Sequence, residues 1–278
     1  MTYQIEYAYV SHTGKVRANN EDNFWCCGCN MPWENQGTGG IQSGTAVEKD
    51  APVLAVLDGM GGESHGEMAA FVAARELGDF RKKQIKKLQK EPERFALEVC
   101  SSMNKAVCEY EEENKISSMG TTLAMMVFGE NSFCACNLGD SRIYSFLNGE
   151  FQRISTDHVL GRGRFGKAPL LQYLGLDEEN LLLEPSVEIL EFQPGMRFLL
   201  CSDGLTDMLP EKEIAELMSR EEPVSQTVEL LLECALQKGG RDNITIIMGE
   251  VTAREKKTRF IKWLKKLEKR KKVKGDVL

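Results

Sequence analysis

The chain lacks the long apolar segments and the histidine motifs that many membrane proteins and hydrolases require. No apolar run among its 278 residues approaches the ~20 residues of a transmembrane helix. Residues 1–14 show no basic stretch followed by an apolar core, so they do not resemble a signal peptide. The three histidines never stand at HExxH spacing, which argues against a catalytic zinc site. We therefore predict a cytoplasmic globular protein.

Other catalytic motifs are missing as well. No GxSxG elbow marks a serine hydrolase, and no GxxxxGK[ST] loop marks a P-loop nucleotide enzyme. The net charge is −7, although residues 252–278 hold twelve Lys and Arg against three acids. The rest of the chain is therefore strongly acidic, which argues against nucleic acid as a partner and leaves many carboxylates for cations.

The nine cysteines are scattered, as is usual for thiols that stay reduced. Cys26 and Cys29 form one CxxC without a second pair, so we interpret them as strand-end thiols and not as zinc ligands. Cys136 and Arg142 have the spacing of a cysteine phosphatase loop, CxxxxxR. We interpret this spacing as coincidence, because Cys136 lies within an apolar strand and Asp140 would repel a phosphate.

Hydrophobic periodicity predicts more strands than helices, and it places the helices in two groups. Residues 30–50, rich in Gly and polar residues, are predicted to be a surface excursion. The pattern favours one α+β domain over residues 1–251, with antiparallel sheets covered by helices. Strands are predicted at 3–10, 52–58, three runs within 121–155, 186–192, 197–203 and 243–251, and helices at 65–89, 92–114, 210–219 and 223–237.

Four aspartates stand at the edges of buried strands, each with a glycine within two residues: Asp58, Asp140, Asp203 and Asp242. One such acid is usually a turn or cap residue. Four of them need a shared cause, because a carboxylate at the edge of a core is costly unless it is neutralised. Mg²⁺ and Mn²⁺ prefer carboxylate and carbonyl oxygens, so the pattern predicts a site for hard divalent cations.

Several motifs together resemble the type-2C metal-dependent protein phosphatases in their bacterial form. They occur in the order typical of that family and span most of residues 1–251. The matching stretches are GKVRANNEDN (14–23), LAVLDGMGG (54–62), GEMAA (66–70), MGTTL (119–123), CNLGDSRIY (136–144), TDH (156–158), LLCSDGLTDML (199–209) and GGRDNITIIM (239–248).

The resemblance implies a four-layer αββα sandwich, with two antiparallel sheets packed face to face and helices outside. It implies hydrolysis of phosphoserine and phosphothreonine in proteins by a water activated at a binuclear Mn²⁺ or Mg²⁺ centre. Two alternatives stay open: a metal-dependent hydrolase of a small phosphorylated metabolite, and a pseudophosphatase that binds phosphopeptides without cleaving them.

The resemblance also assigns the ligands of the two principal ions. Asp58 would bridge both ions, and the carbonyl oxygen of Gly59 would bind the second. Asp203 and Asp242 would complete the first site, and Glu21 would serve the second. A glycine suits position 59, because a side chain would hinder the approach of a backbone oxygen to a cation.

Further roles follow from the same resemblance. Asp22 would hold a water molecule at the centre, and Arg17 would bind the substrate phosphate with its planar fork. Asp140, Asp203 and Asp207 match the residues that hold a third, weaker metal ion in bacterial members.

The chain departs from the family pattern near the site. Met60 stands where many eukaryotic members have a histidine that is proposed as the general acid, and His65 does not align with it; we expect His65 at a helix entry. The flap segment 159–175 is short. Its Arg162, Arg164 and Lys167 would either favour acidic phosphopeptides or form a solvated loop, and we prefer the loop.

The C-terminal residues 252–278 form the second predicted unit, a basic amphipathic helix or tail. Its apolar positions are Phe260, Trp263, Leu264 and Leu267. It would dock on the acidic body, bind an anionic membrane surface or bind an acidic partner, and we do not expect the membrane version. The other expected partners are phosphorylated proteins and, by resemblance alone, a serine/threonine kinase. We expect a monomer.

Overall fold

The computed structural model describes residues 2–60, 65–161, 168–177 and 181–254. Twelve strands and five α-helices occur in these residues. The strands are β1 Thr2–His12, β2 Asp22–Cys26, β3 Gln42–Val47, β4 Val53–Met60, β5 Gly120–Thr121, β6 Leu123–Phe128, β7 Ser132–Leu138, β8 Arg142–Leu147, β9 Glu150–Arg153, β10 Ser186–Glu191, β11 Arg197–Cys201 and β12 Ile244–Arg254. The helices are α1 Gly66–Lys90, α2 Pro92–Asn114, α3 Asp203–Thr206, α4 Glu211–Met218 and α5 Val224–Gln237.

The strands form two antiparallel sheets. One has the order β3-β1-β12-β11-β8-β9, and the other has the order β10-β7-β6-β4-β2, with β5 paired to the end of β4. The long pairing of β1 with β12 aligns Thr2 with Arg254 and His12 with Ile244, so the two ends of the described chain lie side by side in the first sheet. This arrangement confirms the predicted antiparallel sheets.

Side-chain alternation in the strands creates three apolar layers. In β4, Val53, Ala55 and Leu57 pack with α1 and α2, whereas Leu54 and Val56 face the other sheet. Successive side chains of a strand point to opposite faces, so a continuous apolar run can fill two cores at once. Helices α4 and α5 cover the outer face of the first sheet. The four-layer αββα sandwich is therefore confirmed.

Strand β3 corrects the interpretation of residues 30–50 as a surface excursion. Residues Gln42–Val47 pair with β1 at the edge of the first sheet, from Gln4 opposite Val47 to Tyr9 opposite Gln42. Only Ala46 is buried in this strand. An edge strand with one buried side chain carries almost no hydrophobic pattern, so its sequence did not reveal it.

The turn between β8 and β9 has the sequence signature of a tight hairpin. Asn148 and Gly149 join the two strands with φ values of 52° and 86°, as an Asn-Gly hairpin turn requires. Among the residues described, no helix is long and apolar enough to cross a membrane. The boundary at residue 251 stays a prediction, because β12 continues to Arg254 and residues 255–278 lie outside the described part of the chain.

Candidate active site

The acids predicted from strand edges meet at one end of the sandwich. Asp58 lies near the end of β4 in the second sheet, whereas Asp203 follows β11 and Asp242 precedes β12 in the first sheet. Glu21 immediately precedes β2, and Asp140 lies in the turn after β7. All five carboxylates line one cleft of about 340 Å³. The fold thus brings together acids that are up to 221 positions apart, from residue 21 to residue 242.

Other groups complete the wall of this cleft. Its remaining lining residues are Arg17, Gly59, Met60, Thr122, Ala168, Pro169, Leu170 and Asn243. The stretch 168–170 belongs to the short flap, so that segment forms part of the wall. The choice between the two predicted roles of the flap depends on three basic residues that lie outside the described residues: Arg162, Arg164 and Lys167.

Two predicted site residues do not line the cleft. Asp207 stands at the C-terminal end of α3, one turn after Asp203, and its backbone N–H donates to the carbonyl of Asp203 at 2.7 Å. Asp22 lies beneath the cleft and is almost completely buried. The assignments of both residues stay predictions.

Asp22 is held by buried polar groups. Ser202 Oγ donates to Asp22 Oδ2 at 2.7 Å, and the same hydroxyl accepts the backbone N–H of Thr245 at 2.9 Å. Burial raises the pKa of Asp22 to about 7, although its hydrogen bonds lower it. The neighbouring charges of Asp203 and Asp242 add smaller effects that also raise it. Asp22 Oδ1 is buried and accepts no hydrogen bond from the described protein atoms. An acceptor in that position suits a water molecule or a cation.

Asp58 is held through its backbone. Thr121 Oγ1 donates to the carbonyl of Asp58 at 3.0 Å, and the Thr122 N–H donates to it at 2.9 Å. The Asp58 N–H in turn donates to Thr122 Oγ1 at 3.0 Å. The backbone position of Asp58 therefore depends on β5, which pairs with Gly59 and Met60.

Packing also requires a glycine at position 59, in addition to the predicted approach of its carbonyl oxygen to a cation. A Cβ atom at this position would collide with the carbonyl oxygen of Gly66 and lie 2.5 Å from that of Glu21. The start of α1 and the loop before β2 both approach the backbone of residue 59, which leaves no room for a side chain there. His65 is the N-cap residue of α1, with a φ of 90°, which matches the expected helix entry.

Arg17 spans the mouth of the cleft and is about half exposed. Its Nε and Nη2 atoms contact Asp242 Oδ1 and Oδ2, both at 2.8 Å. This bidentate pair is the geometry in which a guanidinium also binds a phosphate. Burial raises the pKa of Glu21, which lies nearby and is half-buried.

Asn243 was missed from the sequence, although it stands beside Asp242 in a motif that was noted. Its Nδ2 donates to the carbonyl oxygens of Thr13 and Asn19, both at 2.9 Å, and its Oδ1 accepts the Glu21 N–H at 2.8 Å. The side chain is almost fully buried. Asn243 thereby fixes the loop that carries Arg17 and Glu21. A polar residue directly before a buried strand was the available signal.

The donor set of the cleft suits hard cations, because every candidate ligand is a carboxylate or carbonyl oxygen. Within residues 2–60, 65–161, 168–177 and 181–254, no three His, Cys, Asp or Glu side chains are arranged so that they could hold an ion as they stand. The carboxylates therefore share one cleft without forming a ready-made three-ligand group among these residues.

The cysteine alternatives find no support in the structure. Cys136 is buried in β7 with its Sγ 3.5 Å from Cys100 Sγ, and Arg142 is bound to Asp157. Cys26 and Cys29 flank a tight turn and exchange two backbone hydrogen bonds. All nine thiols are free. Cys136 therefore lies within a strand, as predicted, and Arg142 is paired with an acid.

Several solved structures that share this fold are bacterial phosphatases. The catalytic domain of the serine/threonine phosphatase PstP, described as a complex with two manganese ions, is 28% identical and superposes with a TM-score of 0.69, covering 90% of this chain and all of that one. Another PstP structure, from Mycobacterium tuberculosis, has a TM-score of 0.71 at 27% identity and covers 90% of this chain and all of that one. The fold is thus that of metal-dependent phosphatases.

Sequence comparison agrees. The family model for protein phosphatase 2C matches residues 42–245. The serine/threonine phosphatase Stp of Listeria innocua is 31% identical over 254 residues, which cover 85% of this chain and 92% of the relative. The chain therefore belongs to the protein phosphatase 2C family. This confirms the predicted family in its bacterial form and the predicted enzyme class, the metal-dependent protein serine/threonine phosphatases.

Proposed function

We propose that this chain hydrolyses phosphoserine and phosphothreonine in proteins at the carboxylate cleft. The single observation that carries the proposal is the convergence of five carboxylates and one arginine on one cleft between the sheets. The names of its relatives, which are serine/threonine phosphatases, support the same reaction.

The residues that would hold two Mn²⁺ or Mg²⁺ ions are Asp58, the Gly59 carbonyl, Asp203, Asp242 and Glu21. When bound, such a pair of ions supplies an activated water nucleophile and neutralises the phosphoryl oxygens. Asp22 would hold a water molecule through its buried Oδ1 atom. A weaker third ion would use Asp140, Asp203 and Asp207, the last two being one helical turn apart.

Arg17 would bind the phosphate of the substrate. Its guanidinium already lies at the cleft in a bidentate pair with a carboxylate. A phosphate offers the same two-oxygen edge, so Arg17 would exchange Asp242 for the substrate. This exchange would also free Asp242 for an ion.

The test measures release of inorganic phosphate from a phosphothreonine peptide in the presence of Mn²⁺. We expect Asp58→Asn, Asp203→Asn and Asp242→Asn to lower the rate about a thousand-fold, because each removes part of several kcal/mol of charge stabilisation. The matched control is Asp79→Asn, an exposed carboxylate on α1 that pairs with Lys82, and it should keep full activity. Near-normal turnover by all three cleft variants would contradict the proposal.

The same assay separates the two alternatives. A wild-type chain that binds the phosphopeptide and releases no phosphate with Mn²⁺ or Mg²⁺ would be a pseudophosphatase. Preference for free sugar phosphates or nucleotides over the peptide would indicate a metabolite phosphatase. The first result would overturn the proposed reaction, and the second would overturn the proposed substrate class.

We propose further that the protein acts in the cytoplasm, and its nine free thiols support this. Cell fractionation tests the location, and detection mainly in a membrane or exported fraction would contradict it. The monomeric state and the opposing kinase stay predictions. Light scattering tests the first, and a phosphoproteome comparison with and without the active protein tests the second.

A further inference from the structure

We infer that Asn104, on a helix outside the cleft, is a positioning residue for Asp58 and for the flap wall of the active site. The inference rests on the proposed function, because it concerns the same cleft. It follows from a continuous series of contacts that runs from α2 through residues 174–176 and β5 to Asp58.

The first contact is a clamp made by one side chain. Asn104 Oδ1 accepts the backbone N–H groups of Gly175 at 2.7 Å and Leu176 at 3.0 Å, and its Nδ2 donates to the Leu176 carbonyl at 2.9 Å. The side chain is only 1% exposed. A buried amide that satisfies three backbone groups of a loop fixes that loop, because removing the amide would leave the two N–H groups without this acceptor and the Leu176 carbonyl with only the weak Cys108 thiol as a donor.

The second contact joins the clamped loop to β5. Thr121 N–H donates to the Leu174 carbonyl at 3.0 Å, and Leu174 N–H donates to the Thr121 carbonyl at 2.9 Å. Packing here is tight. A Cβ atom on Gly175, whose φ is 105°, would lie 2.5 Å from the Met119 carbonyl oxygen, and one on Gly120 would lie 2.7 Å from the ring of Tyr173.

The third contact reaches the candidate metal bridge. Thr121 Oγ1 donates to the carbonyl of Asp58, so β5 is held by Leu174 on one edge and holds Asp58 on the other. The clamped segment also continues backwards to Leu170, which lines the cleft. Asn104 therefore acts on the site through backbone geometry, and it touches neither substrate nor ion.

The experiment compares Asn104→Ala with Val99→Ala. Val99 lies on the same helix, more than one turn earlier, is fully buried, and has no side-chain hydrogen bond to lose. Both variants lose core packing, so they are compared under conditions that give them the same unfolding free energy. Amide hydrogen exchange at Thr121 and Leu174, and Mn²⁺ binding by calorimetry, are the two readouts.

We expect Asn104→Ala to lose exchange protection at both amides and to bind Mn²⁺ about tenfold more weakly, with Val99→Ala close to wild type in both. Equal protection and equal Mn²⁺ affinity in the two variants would overturn the inference. The exchange readout does not depend on catalysis. A wild-type chain that binds no Mn²⁺ and releases no phosphate would contradict the proposed function. The hydrogen-exchange result would still show whether Asn104 holds residues 174–176 and β5 in place.

A second pair of variants keeps the inference testable if Asn104→Ala does not fold. Thr121→Val removes the hydroxyl that donates to Asp58, and Thr121→Ser retains it. Weaker Mn²⁺ binding in the valine variant with rescue by serine would support the contact series. Equal affinity in both would overturn it.

Discussion

The protein has two regions where charged side chains gather, and they are built differently. The Arg142 cluster, formed by Arg142, Arg153, Asp157 and Glu211, pairs two bases with two acids. Arg142 Nη2 lies 2.7 Å from Asp157 Oδ2, and Arg153 lies 3.3 Å from the same oxygen. The cleft instead places Arg17 among five carboxylates.

The difference shows where the fold stabilises charge and where it leaves charge in excess. In the Arg142 cluster, each acid has a basic partner within 4 Å, so the cluster can stabilise the fold without a ligand. In the cleft, Asn243 and Thr121 hold the backbone of Glu21 and Asp58 where both side chains line the same cavity as three other acids. An excess of carboxylates that the fold maintains is what a site for divalent cations requires.

The largest expected effect is a difference in stability between Asp→Asn substitutions in the two regions. Asp157→Asn should lower the unfolding free energy by about 2 kcal/mol, because it leaves the partly buried Arg142 guanidinium with only the more distant Glu211 as a charge partner. Asp58→Asn in metal-free protein should change the unfolding free energy much less, by about 0.5 kcal/mol or under, because this carboxylate lines a cleft that is open to solvent. Urea unfolding measures both values.

Added Mn²⁺ should change the stability of the two variants by different amounts. At about 100 times the dissociation constant it should stabilise wild type and Asp157→Asn by roughly 2.7 kcal/mol, and it should stabilise Asp58→Asn much less. Destabilisation of both Asn variants to the same extent would show that the two regions do not differ as proposed.

A smaller effect, on KM, is expected for substitutions of Arg17 in the cleft. Arg17→Ala should raise KM for a phosphopeptide about tenfold, because a charged hydrogen-bonding partner of the phosphate is lost. Mn²⁺ affinity should be unchanged or tighter, since Asp242 loses its bidentate partner. Arg17→Lys is the matched control, which keeps the charge without the fork. An unchanged KM in Arg17→Ala would refute its role in phosphate binding.

The smallest effect concerns His158, which lies between the two regions. Its Nδ1 accepts the Gly139 N–H at 3.2 Å, so its proton is on Nε2, which contacts Ser186 Oγ at 2.8 Å. Burial lowers the pKa of His158 from its ordinary value of 6.5, and the neighbouring Asp157 partly offsets this. Protonation therefore favours the unfolded chain, and the stability due to neutral His158 is complete above pH 6.5 and decreases as the pH falls below it.

Unfolding free energies at about pH 7 and about pH 5 measure this dependence. The control is His158→Gln, whose stability should change less between the two pH values. The same pH dependence in both proteins would show that other groups cause it.

Much of the fold could be predicted because its signals are local. The continuous apolar run of β4 and the helical periods of α1 and α2 are visible in neighbouring residues. Strand β3 could not be predicted, because its partner β1 is more than thirty positions away and only Ala46 is buried.

The candidate site divides in the same way. Acids at strand edges indicated a cation site, and the family resemblance assigned their roles. The almost complete burial of Asp22, the position of Asp207 outside the cleft wall, and the pairing of Arg17 with Asp242 required coordinates. The role of Asn104 also required coordinates. An asparagine within an amphipathic helix has the same appearance in sequence whether it holds a distant loop or faces water.

The sequence by itself determined most of the strands, the longer helices and the acids available to a cation, because periodicity and residue chemistry act over short stretches of chain. Only the tertiary structure decided which acids share the cleft and which backbone groups hold them in place. Those contacts join residues as far apart as Glu21 and Asn243, and hydrogen-bond geometry at such a separation is set by packing of the whole sandwich.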